Sequence, residues 1–152
     1  MLSKNIAVAI FKHFNNYKGS YRLYFKGLTN DVINQSEDRV ELRIDGPYTR
    51  YFPGGVKYHD LEVNFLFTAH LSNSSLYKDR EMVSQLKTGI FDNQGQRIHI
   101  PVYDGSTLIG CLKLRPIISG DREVREYYFG EIDVKTRLVQ ATLEAHYRLE
   151  ET

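Results

Sequence analysis

The 152-residue sequence holds one cysteine, four prolines and no tryptophan. A single thiol, Cys111, excludes an internal disulfide and any zinc site built on two or more cysteines. No apolar run approaches the roughly 18 residues needed to span a bilayer. The Ile6–Phe11 stretch is short and helical in period, so no secretion signal is expected, and a reducing compartment fits. The triplets Asn34-Gln35-Ser36 and Asn73-Ser74-Ser75 then read as loop chemistry rather than glycosylation sites. An excess of either charge is also missing. Lys plus Arg number 20 and Asp plus Glu 19, a net charge of +1, which gives no built-in long-range pull on nucleic acid or anionic lipid.

Signatures of chemistry are equally sparse. The histidines 13, 59, 70, 99 and 146 offer no helical i, i+4 zinc pair. No Gly-rich phosphate cradle and no Gly-x-Ser-x-Gly elbow occurs. Cys111, in Ile109-Gly110-Cys111-Leu112, reads as a small buried hydrophobe. His59-Asp60 is the one dipeptide able to orient a base, and it leaves a hydrolase open as a minor reading. The expectation is a protein that is not an enzyme, with no cofactor and no metal.

What the chain does have is alternation. Leu61, Val63, Phe65, Phe67 and Ala69 step by two, as do Val139, Ala141, Leu143, Ala145, Tyr147 and Leu149. Each run predicts a strand with one dry and one polar face. The polar face of the second carries Gln140, Thr142, Glu144, His146 and Arg148, a surface suited to water or a partner. Shorter alternations predict strands at Tyr21–Phe25, Val40–Asp45, Ile98–Val102, Leu108–Arg115 and Val124–Glu131, with a hairpin turn at Asp104-Gly105. Gly46-Pro47 is expected to end the second of these, because proline cannot donate to a ladder.

Two helices are predicted. Ser3 caps the first, whose stripe is Ile6, Ala7, Ile10, Phe11, Phe14 and Tyr17, with Gly19 as its stop. The second runs near Leu76–Phe91, capped from Leu71–Ser75. It buries Leu76, Val83, Leu86 and Ile90, with Lys78, Asp79, Arg80, Glu81 and Lys87 on the wet side. Thr29–Asp38, Pro116–Arg122 and Asp133–Arg137 read as loops. The expectation is one α+β domain over residues 1–152: a mostly antiparallel sheet packed against an N-terminal and a central helix, with an arm or hairpin near 46–58. Eleven tyrosines and eight phenylalanines suit sheet packing and protein contacts. Basic and aromatic residues interleave at Tyr48-Thr49-Arg50-Tyr51-Phe52, which reads as a protein-contact arm more economically than as a nucleic-acid stacking platform.

The element order, from the helix at Ser3–Tyr17 through Val40-Glu41-Leu42-Arg43-Ile44-Asp45-Gly46-Pro47 to Thr142-Leu143-Glu144-Ala145-His146-Tyr147-Arg148-Leu149, resembles the tail terminators and head–tail joining (neck) proteins of tailed bacteriophages. The Asp104-Gly105 hairpin is additional to that pattern. The resemblance implies a structural virion protein, assembled in the host cytoplasm as a ring, commonly a hexamer, without an active site. Its implied partners are its own copies, the tail tube and the connector, with DNA passing through the lumen without sequence-specific binding and no membrane involved. Tyr48, Arg50, Tyr51, Phe52, Glu144, His146 and Arg148 are the expected subunit or partner contacts. A small-molecule or peptide-binding α+β module is the alternative.

Overall fold

The two longest alternating segments become long strands, and they pair with each other. In the computed structural model, which describes residues 2–19, 21–25, 38–55, 57–70, 77–116, 123–133 and 138–151, β3 (Lys57–His70) lies antiparallel to β7 (Leu138–Glu151) from His59↔Leu149 to His70↔Leu138. That register sets Leu61 against Tyr147, Val63 against Ala145, Phe65 against Leu143 and Phe67 against Ala141. All of these are buried. A one-residue slip would turn every one of them to the opposite face, so hydrophobic burial fixes the register.

Other strands extend this pair on both sides. β2 (Arg39–Tyr51) forms a long antiparallel hairpin with β3, and β1 (Arg22–Phe25) joins β2 in parallel. The free edge of β7 is shared. β6 (Val124–Asp133) pairs with its N-terminal half, and β5 (Thr107–Arg115) with its C-terminal end. β4 (Ile100–Asp104) closes that side as the partner of β5. Beyond His59↔Leu149 β3 parts from β7 and stays paired with β2 alone, through Arg50↔Tyr58 and Tyr51↔Lys57, so a two-stranded tip leaves the sheet there.

Both helices pack on the inner face. α1 (Leu2–Asn15) inserts Ile6, Ile10 and Phe14, and the Phe14 ring meets Phe65 edge-on at 4.7 Å. α2 (Lys78–Lys87) inserts Met82, Val83 and Leu86. All belong to one hydrophobic cluster with the inner strand residues. Each fully buried large apolar side chain contributes about 1.5–3 kcal/mol, against about 0–1 kcal/mol for an exposed ion pair, so this cluster dominates the stability of the fold. His13 ties α1 to the turn that follows α2, its Nε2 lying 2.8 Å from the Gly89 carbonyl oxygen. Burial lowers its pKa against the opposing effect of that hydrogen bond.

The α+β class and the mostly antiparallel sheet match the sequence reading, with several local corrections. α1 starts at Leu2, so Ser3 lies inside its first turn rather than capping it, and it stops at Asn15. β2 runs straight through Gly46-Pro47. The ladder skips a register between Asp45 and Tyr48, and this bulge absorbs the missing proline donor. Gly46 is required there: its φ is +110°, and a Cβ would meet the Asp60 carbonyl oxygen at 2.9 Å. α2 is shorter than its stripe, and Ile90 is buried from the turn that follows it. Asp79 is buried rather than wet, because it precedes Met82 and Val83 on the same stripe, and its Oδ1 accepts the Arg80 N–H at 2.9 Å. β4 begins at Ile100, two residues later than the alternation suggests, and runs on to Asp104. Cys111 is half-buried on the outer face, since Leu112 and Leu114 take the inner one. Leu76, the caps at 71–75, and the expected loops apart from Asp38, Pro116 and Asp133 fall outside the described residues.

One buried group works against the core. Tyr147 is fully buried, and its hydroxyl has no hydrogen-bond partner among the described residues. Desolvation pushes its pKa far above the usual phenol value. Tyr147→Phe keeps the ring packing and removes the unpaired hydroxyl. Urea unfolding should therefore show the variant about 1 kcal/mol more stable than wild type, with an unchanged m-value.

Candidate functional site

The outer face of the sheet carries no helix among the described residues. Register alone dictates what stands on it. Glu41, Arg43 and Asp45 of β2 face Leu66, Asn64 and Glu62 of β3, which in turn face Thr142, Glu144 and His146 of β7. Toward the hairpin tip, Asp60 is flanked by Tyr48 on one side and Arg148 on the other. Beyond Arg148 stands Lys113 of β5.

Asp60 organises the tip end of this face. It is only 6% exposed, although it lies on the polar side of its strand. Arg148 donates to it twice, from Nε at 2.7 Å and Nη2 at 3.3 Å. Arg115 of β5 pairs with it through Nη1, and Arg50 of β2 through Nε at 3.4 Å. One carboxylate on β3 thus ties β2, β5 and β7 together. Burial by itself would raise the Asp60 pKa; hydrogen bonds and charge from Arg148 and Arg115 outweigh it and hold the pKa below the ordinary carboxylate value. The Arg148 guanidinium also stacks over Tyr58 at 4.5 Å, and Phe52 meets Tyr58 edge-on at 5.1 Å. Tyr48 and Tyr51 stand out into solvent, Tyr51 at 77% exposure.

The middle of the face has the opposite sign. A shallow concavity of about 300 Å³ is lined by Glu41, Arg43, Asn64, Thr142 and Glu144 among others, with Asp45 and Glu62 next along the strands. Arg43 is paired with Asp45 at 3.2 Å. His146 Nε2 lies 2.7 Å from Glu144 Oε1 and 3.7 Å from Glu62 Oε1. These three residues bring potential metal-ligand atoms within 4.8 Å of one another. Only the Glu144 contact is within hydrogen-bond distance.

The residues expected from the sequence are thus split between two places. Arg50 and Arg148 converge on Asp60, with Tyr48, Tyr51 and Phe52 around them at the tip. Glu144 and His146 belong to the acidic middle. Asp60, Arg115, Tyr58, Glu41 and Glu62 complete these groups and were not singled out as contacts; their alternation put them on the polar face, but only the register reveals their neighbours. His59 and Asp60 stand on opposite faces of β3. Adjacent strand residues face opposite sides, and His59 Nδ1 lies 3.0 Å from Thr49 Oγ1 instead. A separate groove of about 430 Å³ runs between α1 and the edge strand β4, lined by Val8, Lys12, His13 and Tyr103 among others. Among the described residues, no helix is long and apolar enough to cross a membrane. No family model matches this sequence, and no curated protein matches it either.

The Asp60 junction makes acid stability testable. A depressed folded-state pKa contributes stability that is present above the ordinary carboxylate value, about pH 4, and is lost as pH falls through the folded value. Asp60→Asn should cost about 2 kcal/mol at pH 7, less than the roughly 3–5 kcal/mol of a fully buried pair, because its arginines keep contact with water. Urea titrations from pH 7 to pH 2 should show the gap between wild type and variant closing below about pH 4.

Proposed function

We propose that this chain is a structural virion protein of a tailed phage, a tail terminator or neck component that assembles as a ring joining the tail tube to the head connector. In this role it catalyses no reaction and needs no cofactor or metal. It is built in the host cytoplasm and resides in the virion, most simply as a hexamer, with the tail tube and connector as neighbours and DNA passing through the lumen without base-specific contacts.

The observation that carries this reading is the one-sided sheet. Helices seal the inner face, while the outer face is a band of interleaved charges ending in an aromatic tip. Exposed aromatics beside arginine are favoured contact anchors. The two sides of the sheet are also unlike, with β1 at one margin and β4 and β6 at the other. A ring needs two different surfaces per subunit, and unlike margins support that reading. The groove between α1 and β4 favours the second reading, a module that binds a small molecule or peptide.

Light scattering and negative-stain electron microscopy separate the two. The ring reading predicts particles of several times 17.7 kDa with a central hole, and capture of the protein on tail-tube ends. Monomers at every concentration, ignored by tubes and raised in melting temperature by a ligand, would favour the module.

A further inference from the structure

The hairpin tip and the middle of the outer face are opposite in charge and cannot meet within one chain. Around the hairpin tip, Arg50, Lys113, Arg115 and Arg148 on the outer side, with Lys57 on the opposite side of the hairpin, outnumber Asp60 and Glu150. In the middle, Glu41, Asp45, Glu62 and Glu144 outnumber Arg43 and Arg125. Along β3 the tip residue Lys57 and the concavity residue Asn64 are separated by about 23 Å of extended strand. The tip is a tight hairpin whose ladder runs to Tyr51↔Lys57, so it cannot fold back onto its own acidic concavity. We propose that the hairpin tip of one copy docks end-on into the acidic concavity of the next, with Tyr51 as the apolar anchor, Lys57 on the same side of the hairpin facing Glu41, and Arg50 on the other side facing Glu144.

This inference rests on the ring reading and specifies its contact. Tip and concavity are different surfaces of one subunit, so the contact is head-to-tail and passes around a closed circle rather than stopping at a dimer. Charge complementarity sets which copy surface is recognised, and the exposed tyrosine supplies the buried area. The Asp60 junction gives the tip a rigid base by tying β2 to β5 and β7. A stiff tip loses little freedom on docking.

Charge exchange in the full chain tests the pairing. Lys57→Glu, Glu41→Lys, the double variant and Tyr51→Ser are compared with wild type by sedimentation velocity over a concentration series, with circular dichroism confirming that each is folded. Lys57 lies outside the Asp60 junction and Tyr51 is largely exposed, so both positions tolerate change. Each single variant should weaken assembly by about tenfold or more, and Lys57→Glu with Glu41→Lys together should return it to within about threefold of wild type. Assembly of wild type with undiminished assembly of all single variants would overturn the tip-to-concavity contact and leave the ring standing. Single variants that weaken assembly without recovery in the double would overturn the direct pairing of these residues. A wild type that never assembles would overturn both the contact and the ring.

Discussion

The structure depends first on the antiparallel pairing of β3 with β7. Every other strand is attached to one of these two directly or through a neighbour, and both helices pack against residues they present. The pairing holds because two period-2 segments put their apolar sets on the same side at the same register. Burial of those sets is worth several times what the polar face gains from its ion pairs. The inner face therefore determines the fold, and the outer face is free to carry charge in a pattern that folding alone does not require.

Asp60 shows how the two faces are coupled. A carboxylate on the polar side of a central strand is normally wet, yet here arginines from three neighbouring strands close over it. The Arg–carboxylate cluster ties the base of the hairpin where β3 parts from β7 and continues with β2 alone. Tyr48, Tyr51 and Tyr58 are presented on the two-stranded ladder, and Phe52 at the turn that follows. The polar middle of the face is organised differently, around His146 between two glutamates.

Much of this was legible in the sequence because the signals are local. Period-2 alternation located β3, β5, β6 and β7, and the 3.6-residue stripe located Ile6, Ile10 and Phe14 on α1. The exposed tip residues Tyr48, Tyr51 and Phe52 were equally readable, since turn residues flank them. What the sequence concealed depends on partners remote along the chain. Gly46-Pro47 reads as a strand end until β3 lies beside it and a bulge accommodates both residues. Asp60 reads as an ordinary polar-face residue until Arg50, Arg115 and Arg148 arrive from three other strands. The parallel pairing of the four-residue β1 carries no local mark at all. Asp79 deceived for a different reason: its charge outweighed its position on the buried stripe.

The claim that the outer sheet face is where copies meet is tested most directly by zero-length cross-linking of amine to carboxylate in an equal mixture of isotopically light and heavy chains. Assembly through this face predicts mixed-isotope peptides joining the Lys57 segment of one chain to the Glu41 or Glu144 segment of another. Cross-links between copies confined to the helices and the β4 edge, with the Lys57 segment linked only within its own chain, would contradict it.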